Sequence, residues 1–306
     1  MRGPFVVPMT SEVVAVLALA LIVDRVFGEP PESFHPTVWM GRAIAILERR
    51  STEALLVFIA VTVGFSLPAF FLVRALHGTS KILAAALIFK TAFSWRGLSD
   101  YTRPIAKALE KGDLEAARRA VPYIAGRDPS GLDREGLLST AVESVAESSA
   151  DGIISPLFYF CICSLPGVEA GVAAALFYRA VNTLDSMLGR PENPKGRLHA
   201  KADELLNFLP ARIAALLLLF SGLALGKDAG GGIAIFKRDR NATPSRNGGQ
   251  TMSVMAGLLG VQLKKKGVYV LGDPTVPLGT AHIYEALKIV DVQVLTFALL
   301  TVIWWI

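Results

Sequence analysis

The long uncharged stretches decide what this chain can become. Residues 53–76, 153–181, 209–226 and 290–306 carry almost no charge. Each has the length, roughly 17 residues or more, at which a helix crosses about 30 Å of hydrocarbon. In lipid every backbone N–H and C=O must find a partner within the segment, so such stretches are helices. Two shorter apolar runs, 13–23 and 82–95, suit membrane helices, re-entrant pieces or buried helices equally. The reading is an all-α polytopic membrane protein: a helical bundle with cytoplasmic loops and short amphipathic helices. It forms a single integral-membrane domain over residues 1–306, with about five to eight spans. A composition 52% hydrophobic and 19% charged agrees.

The net charge of +5 does not point to nucleic acid. Lys and Arg gather at 96–134, 179–212 and 227–266, between apolar runs and without an aromatic-basic platform. This is the pattern of cytoplasmic loops in a multi-pass cell-membrane protein. Cys161 and Cys163 both lie inside an apolar run. They imply no disulfide framework, and no third or fourth ligand stands near them for a metal. The first apolar run ends at Asp24-Arg25 without a small-residue cleavage site, so it does not read as a cleavable signal.

Along the chain, residues 1–10 read as a loose arm, and the Pro- and Gly-rich segment 28–36 forbids a helix. There His35 precedes Pro36 beside Asp24, Glu29 and Glu32. Residues 53–76 form a span with Pro68 inside, joined tightly through 77–80 to a second helix. An amphipathic extramembrane insertion occupies about 96–135, with Gly112-Asp113 dividing two short helices over 103–123. The turn-rich loop 126–133 follows, with Asp133 as an N-cap. Its Gly126, Arg127, Ser130 and Gly131, together with Asp128, offer a guanidinium and backbone N–H groups to phosphate oxygens. Residues 227–250 read as a polar loop whose Arg238, Arg240, Arg246 and Asn247 suit anionic oxygens. Residues 252–261 read as a small-residue helix, 264–272 as a surface turn or hairpin, and 290–306 as a last span ending in a Trp pair.

The densest chemistry lies in 141–156, AVESVAESSADGIISP. Glu143, Glu147 and Asp151 follow at i, i+4 and share one helix face, spread over roughly 12 Å. Like charges at that spacing repel, so Arg, Lys or a divalent ion should offset them. Acids beside membrane-like sequence are expensive and usually functional. Asn182 and Asp185, then Asp203 and Asn207 with Arg212 beyond, form two more polar helix faces abutting apolar runs. Three faces rich in oxygen ligands point to a shared site suited to Mg²⁺. No G-x-x-x-x-G-K-[ST] is present, so a nucleotide would bind without a P-loop.

Several of these stretches together resemble one family. GRDPSGLDREGLLSTAVESVAESSADGIISPLFY, NTLDSMLG, DELLNFLPAR, NGGQTMSVMAGLLG and the D-R-x-x-G-E-P…H-P-x-x-x-M-G segment at 24–41 resemble the membrane-bound adenosylcobinamide-phosphate synthases, in order and over nearly the whole chain. The family usually has G-D-P where this chain has Gly28-Glu29-Pro30, and S-P-N where it has Ser245-Arg246-Asn247. The resemblance implies an ATP- and Mg²⁺-dependent ligation of adenosylcobyric acid with (R)-1-aminopropan-2-ol O-phosphate, with the active site facing the cytoplasm. Mg²⁺ would be held among Glu143, Glu147, Asp151, Asp185 and Asp203. Arg127, Asp128, Asn182, Asn207, Arg212, Arg246 and Asn247 would serve substrate or phosphate, and His35 or a spare carboxylate would take the ammonium proton. Other enzymes of the cobalamin pathway or further copies of this chain are the expected protein partners.

Two other classes fit less well. A membrane prenyltransferase would hold Mg²⁺–diphosphate with N-D-x-x-D, but position 183 is Thr. An ion-coupled transporter would place its acids near the bilayer midplane and show an inverted repeat, which is not evident.

Overall fold

The computed structural model of the protein describes residues 9–50, 53–189 and 193–306. The expected N-terminal arm falls almost wholly outside them. In chain order the helices are α1 (Met9–Phe27), α2 (Pro36–Arg50), α3 (Ala54–Ala75), α4 (Gly78–Lys90), α5 (Trp95–Glu110), α6 (Leu114–Ala120) and α7 (Arg134–Ser148). They continue with α8 (Ser155–Cys163), α9 (Val168–Leu188), α10 (Arg197–Ala224), α11 (Ala229–Asp239), α12 (Gly248–Leu259) and α13 (Thr280–Trp305). Strands β1 (Leu263–Lys265) and β2 (Tyr269–Leu271) form an antiparallel hairpin in which Lys265 pairs with Tyr269.

Three helices among the described residues are long and apolar enough to cross a membrane: α3, the segment Pro194–Ala224 containing α10, and α13. The all-α membrane class therefore holds. Fewer spans qualify than the sequence suggested. Leu165-Pro166-Gly167 in the apolar run 153–181 allows either a hairpin or one kinked span, and the structure has the hairpin, α8 packed on α9. Gly171 permits that close approach, since a Cβ there would stand 2.5 Å from the Phe160 carbonyl. The run 82–95 ends as a helix at Lys90, whose ammonium is buried against two carboxylates.

The chain folds as two compact units, each assembled from separated segments. The first comprises the chain up to Ser94 with Ser155–Leu206 and Ala298–Ile306. In it α9 packs on α3 and α8, and α1 packs on α4. Phe89 stacks on Phe160 at 4.0 Å between ring centroids. Outward-facing Leu55, Leu56, Ile59 and Phe71 of α3 remain exposed, as a lipid-facing surface requires.

The second unit comprises Trp95–Ile154 and Asn207–Phe297. Its α5 buries Leu98, Ile105 and Leu109 and exposes Asp100, Arg103 and Lys107, the periodicity of a helix lying outside lipid. Gly112, at φ +75°, ends α5, and Asp113 caps α6 by accepting from the Ala116 N–H at 2.8 Å. The expected pair of short helices is thus present, although the first starts at Trp95.

The expected loop over 227–250 is corrected: much of it is α11. Asp228 caps that helix, accepting from the Gly231 N–H at 2.8 Å. Its glycines serve packing, because a Cβ on Gly257 of α12 would stand 2.5 Å from the Gly231 carbonyl and 2.7 Å from the Gly232 Cα.

Candidate functional site

In the second unit the acidic stripe begins as expected. Asp133 accepts from the Gly136 N–H at 2.8 Å and starts α7. Glu143, 1% exposed, is bound on both oxygens. Arg127 Nη2 donates to Oε2 at 2.5 Å, Tyr269 OH donates to Oε2 at 2.7 Å, and Ser139 Oγ donates to Oε1 at 2.5 Å. Arg127 also donates to Thr140 Oγ1 at 3.0 Å. Burial opposes the charge on Arg127, yet the Glu143 carboxylate outweighs it and raises the guanidinium above its ordinary range. Burial first, then Glu143, pushes the Tyr269 hydroxyl up as well, so it stays a donor.

The remaining acids of the stripe diverge. Glu147 lies against the start of α12, where a Cβ on Gly248 would stand 2.7 Å from its Oε1. Asp151 falls in a π-turn over Ser149–Ile154, so the i, i+4 register stops at Glu147. Pro156 supplies the reason: it has no N–H and its ring would clash with the carbonyl four residues earlier. Such widened turns recur at functional sites.

Near α12, Arg212 Nη1 donates to Asn247 Oδ1 at 3.4 Å, and its guanidinium sits 3.6 Å from the Phe208 ring centroid. The carbonyl of Arg246 accepts from Gln250 at 2.8 Å, and Asn207 is buried. Asp128 closes its own turn, accepting from the Ser130 N–H at 2.9 Å and the Ser130 hydroxyl at 2.8 Å.

A cavity of about 200 Å³ opens beside this loop, lined by the loop, the first turns of α7 and Lys264, Lys265 and Lys266 of the hairpin. The sequence reading missed these lysines and Tyr269. The signal available was the K-K-K run in a surface hairpin, but its partners lie more than 100 residues away in sequence, as the separation of 126 between Tyr269 and Glu143 shows.

In the first unit Asn182 Nδ2 donates to Asp203 Oδ1 at 3.2 Å, and Arg179 reaches Asn182 Oδ1 and Thr37 Oγ1 at 3.5 Å each. Burial, then the charge of Asp203, pushes the Asp185 carboxyl up to about 6.

His35 belongs to a separate network in that unit. Its Nδ1 accepts from the Thr37 N–H at 3.2 Å, so Nε2 carries the proton that it donates to Glu29 Oε2 at 2.8 Å. Lys90 Nζ meets Glu29 Oε2 at 2.8 Å and Asp24 Oδ1 at 3.1 Å. Burial alone would raise Glu29, but His35, Lys90 and Ser94 outweigh it and hold the carboxyl at about 2. Both ring nitrogens of His35 are thus engaged within the loop.

Among the described residues no three His, Cys, Asp or Glu side chains converge as an ion-holding group. The structure joins Arg127 with Glu143, Arg212 with Asn247, and Asn182 with Asp203 and Asp185.

Fold and site together define an all-α membrane protein, each of whose two units carries its own group of carboxylates and cations. A family model described as CobD/Cbib protein matches residues 17–290, and the chain belongs to that family. It is 37% identical over 293 residues to a Methanothermobacter thermautotrophicus protein named "Probable cobalamin biosynthesis protein CobD", covering 94% of this chain and 96% of that one. A Methanocaldococcus jannaschii protein of the same name is 38% identical over 312 residues, covering 95% and 98%. The "Cobalamin biosynthesis protein CobD" of Dehalococcoides mccartyi is 37% identical over 281 residues, covering 87% and 89%. No solved structure matches the chain.

Proposed function

We propose that this protein is a membrane amide ligase of cobalamin biosynthesis. It would use ATP to join adenosylcobyric acid to (R)-1-aminopropan-2-ol O-phosphate, giving adenosylcobinamide phosphate, ADP and phosphate. The observation that carries the reading is similarity along nearly the full length to proteins named for cobalamin biosynthesis. The geometry supports an enzyme over a transporter, since Asp185 lies in the last turn of α9 and Asp203 in the second turn of α10, not mid-helix.

A carboxylate is a poor acyl donor, so ATP first phosphorylates the corrinoid side chain. The amine then attacks the acyl phosphate carbon, forming the amide and releasing phosphate. Such transfers need positioning and charge neutralisation more than covalent help from the protein. Arg127, held in place by Glu143, offers guanidinium N–H donors to phosphate oxygens. Arg212, Arg246 and Asn247 offer further donors at the start of α12, cytoplasmic by the positive-inside rule.

The residues fit a magnesium ion at Asp185 and Asp203. Their mutual repulsion in half-buried surroundings is what a hard cation relieves, and Mg²⁺ usually takes one or two carboxylates plus waters and substrate phosphates. Asn182 would hold Asp203 in place. The ion, when bound, supplies neutralisation of phosphate charge. Glu143 is committed to Arg127, Ser139 and Tyr269, and the ammonium proton is assigned to one of the later carboxylates of the stripe, Glu147 or Asp151.

The test is ligation by detergent-purified protein, followed by mass. Amide product that requires both ATP and the amino-alcohol phosphate supports the proposal. Absence of product from folded, lipid-supplied protein overturns it.

A further inference from the structure

The hairpin at Leu263–Leu271 is built into the second unit, not draped on it. The Lys264 N–H donates to Ser139 Oγ at 2.7 Å, and Lys266 Nζ pairs with Asp133 at 2.9 Å. Asp133 is also the cap of α7, so one side of the cavity is tied to the first turns of that helix at two points. Such ties hold a binding wall in place before a ligand arrives, which lowers the ordering cost of binding.

Charge is left over inside this frame. Arg127 is neutralised by Glu143 and Lys266 by Asp133. The ammonium groups of Lys264 and Lys265 make no ion pair or hydrogen bond among the described residues, and neither does the carboxylate of Glu135. All three line the same cavity. A concave site with two cations outside any ion pair, and an anion whose neighbour Lys266 is itself paired with Asp133, complements a small molecule that carries a phosphate and an ammonium together. Size narrows the choice further. At about 200 Å³ the cavity is smaller than the roughly 300–1,000 Å³ of pockets that enclose drug-sized ligands. It suits a phosphomonoester of a few carbons.

We propose that this cavity binds a small phosphomonoester bearing an ammonium group, with its phosphate on Lys264 and Lys265 beside Arg127 and its ammonium toward Glu135. The identification of that molecule as the amino-alcohol phosphate rests on the ligase reading. The charge pattern of the site does not.

The experiment uses the full chain in detergent, with O-phosphoethanolamine as probe and affinity read by equilibrium dialysis. The double variant Lys264→Gln, Lys265→Gln should weaken binding about tenfold or more, through loss of two charge-assisted contacts. Glu135→Gln should weaken phosphoethanolamine binding and leave inorganic phosphate binding unchanged, because it meets only the ammonium. Binding of a non-hydrolysable ATP analogue should persist in all variants and reports that they are folded. Unchanged phosphoethanolamine affinity in the double variant overturns the proposal. So does loss of ATP-analogue binding in its place, which would assign the lysines to nucleotide phosphates. Equal affinity for glycerophosphoethanolamine overturns it too, by assigning the cavity to a lipid headgroup.

The two readings fail separately. Lysine-dependent binding without any ligation by the wild-type protein keeps this site and rejects the ligase. Ligation with an unchanged KM for the amino-alcohol phosphate in the double variant keeps the ligase and rejects this site.

Discussion

Replacing Glu29 by Gln removes the charge on which a buried network converges. Its Oε2 meets Lys90 and His35, each at 2.8 Å, in surroundings that leave the side chain 14% exposed. A carboxyl held at about 2, against an ordinary 4.5, contributes at most about 3 kcal/mol at neutral pH. The loss is bounded above because Asp24 remains with Lys90. For a chain of this size the unfolding temperature should fall by roughly 5–10 °C. The sign with pH is fixed by the depressed value: the contribution is whole above about 4.5 and disappears as pH falls toward 2. Thermal unfolding in detergent with a thiol-reactive dye reads this directly. The free thiols Cys161, buried, and Cys163, half-buried, lie in the same compact unit as Glu29. The gap between wild type and variant should be constant from pH 7 to about 5 and narrow below about 4.5. A negligible gap at pH 7, or one that widens as pH falls, would refute the reasoning.

Three further perturbations test other parts of the account. Asp185→Asn should stabilise the protein above about pH 6, where the wild-type carboxylate is ionised against Asp203, with the gain vanishing toward pH 4; added Mg²⁺ should raise the unfolding temperature of wild type and not of the variant. Tyr269→Phe deletes one donor to Glu143 while Arg127 and Ser139 remain, so calorimetric unfolding should show a loss of about 1 kcal/mol. Gly257→Ala places a methyl 2.5 Å from the Gly231 carbonyl, and circular-dichroism melts should show about 1–3 kcal/mol of destabilisation from overpacking where α11 meets α12.

The parts of the fold legible in sequence are those fixed by local chemistry. Asp133 caps α7 because its side chain reaches the N–H three residues on, and Gly112-Asp113 divides α5 from α6. Gly112 ends α5 because the left-handed turn favours glycine. Lipid-length apolar runs at 53–76, 209–226 and 290–306 each overlap a membrane-length helix. What escaped depends on packing. The glycines of α11 read as loop residues, although they sit in a helix pressed against Gly257. The acidic stripe has a true helical period only as far as Glu147, because Pro156 widens the turn that holds Asp151. Spacing asked for a cation beside Glu143 and left Arg, Lys or a divalent ion open; the structure supplies Arg127 from 16 residues away and adds Tyr269 from 126 residues away. Lys90 is likewise 61 residues from Glu29, and nothing local to either announces the other.

The central claim, activation of the corrinoid carboxylate by ATP before amide formation, is tested most directly by oxygen transfer. Adenosylcobyric acid labelled with ¹⁸O in its free carboxylate is incubated with the protein, ATP, Mg²⁺ and aminopropanol phosphate, and the released phosphate is analysed by mass. The account predicts one labelled oxygen in inorganic phosphate for each amide formed, with ADP as the other product. Amide formed without label in the phosphate, or label appearing in AMP, would contradict it.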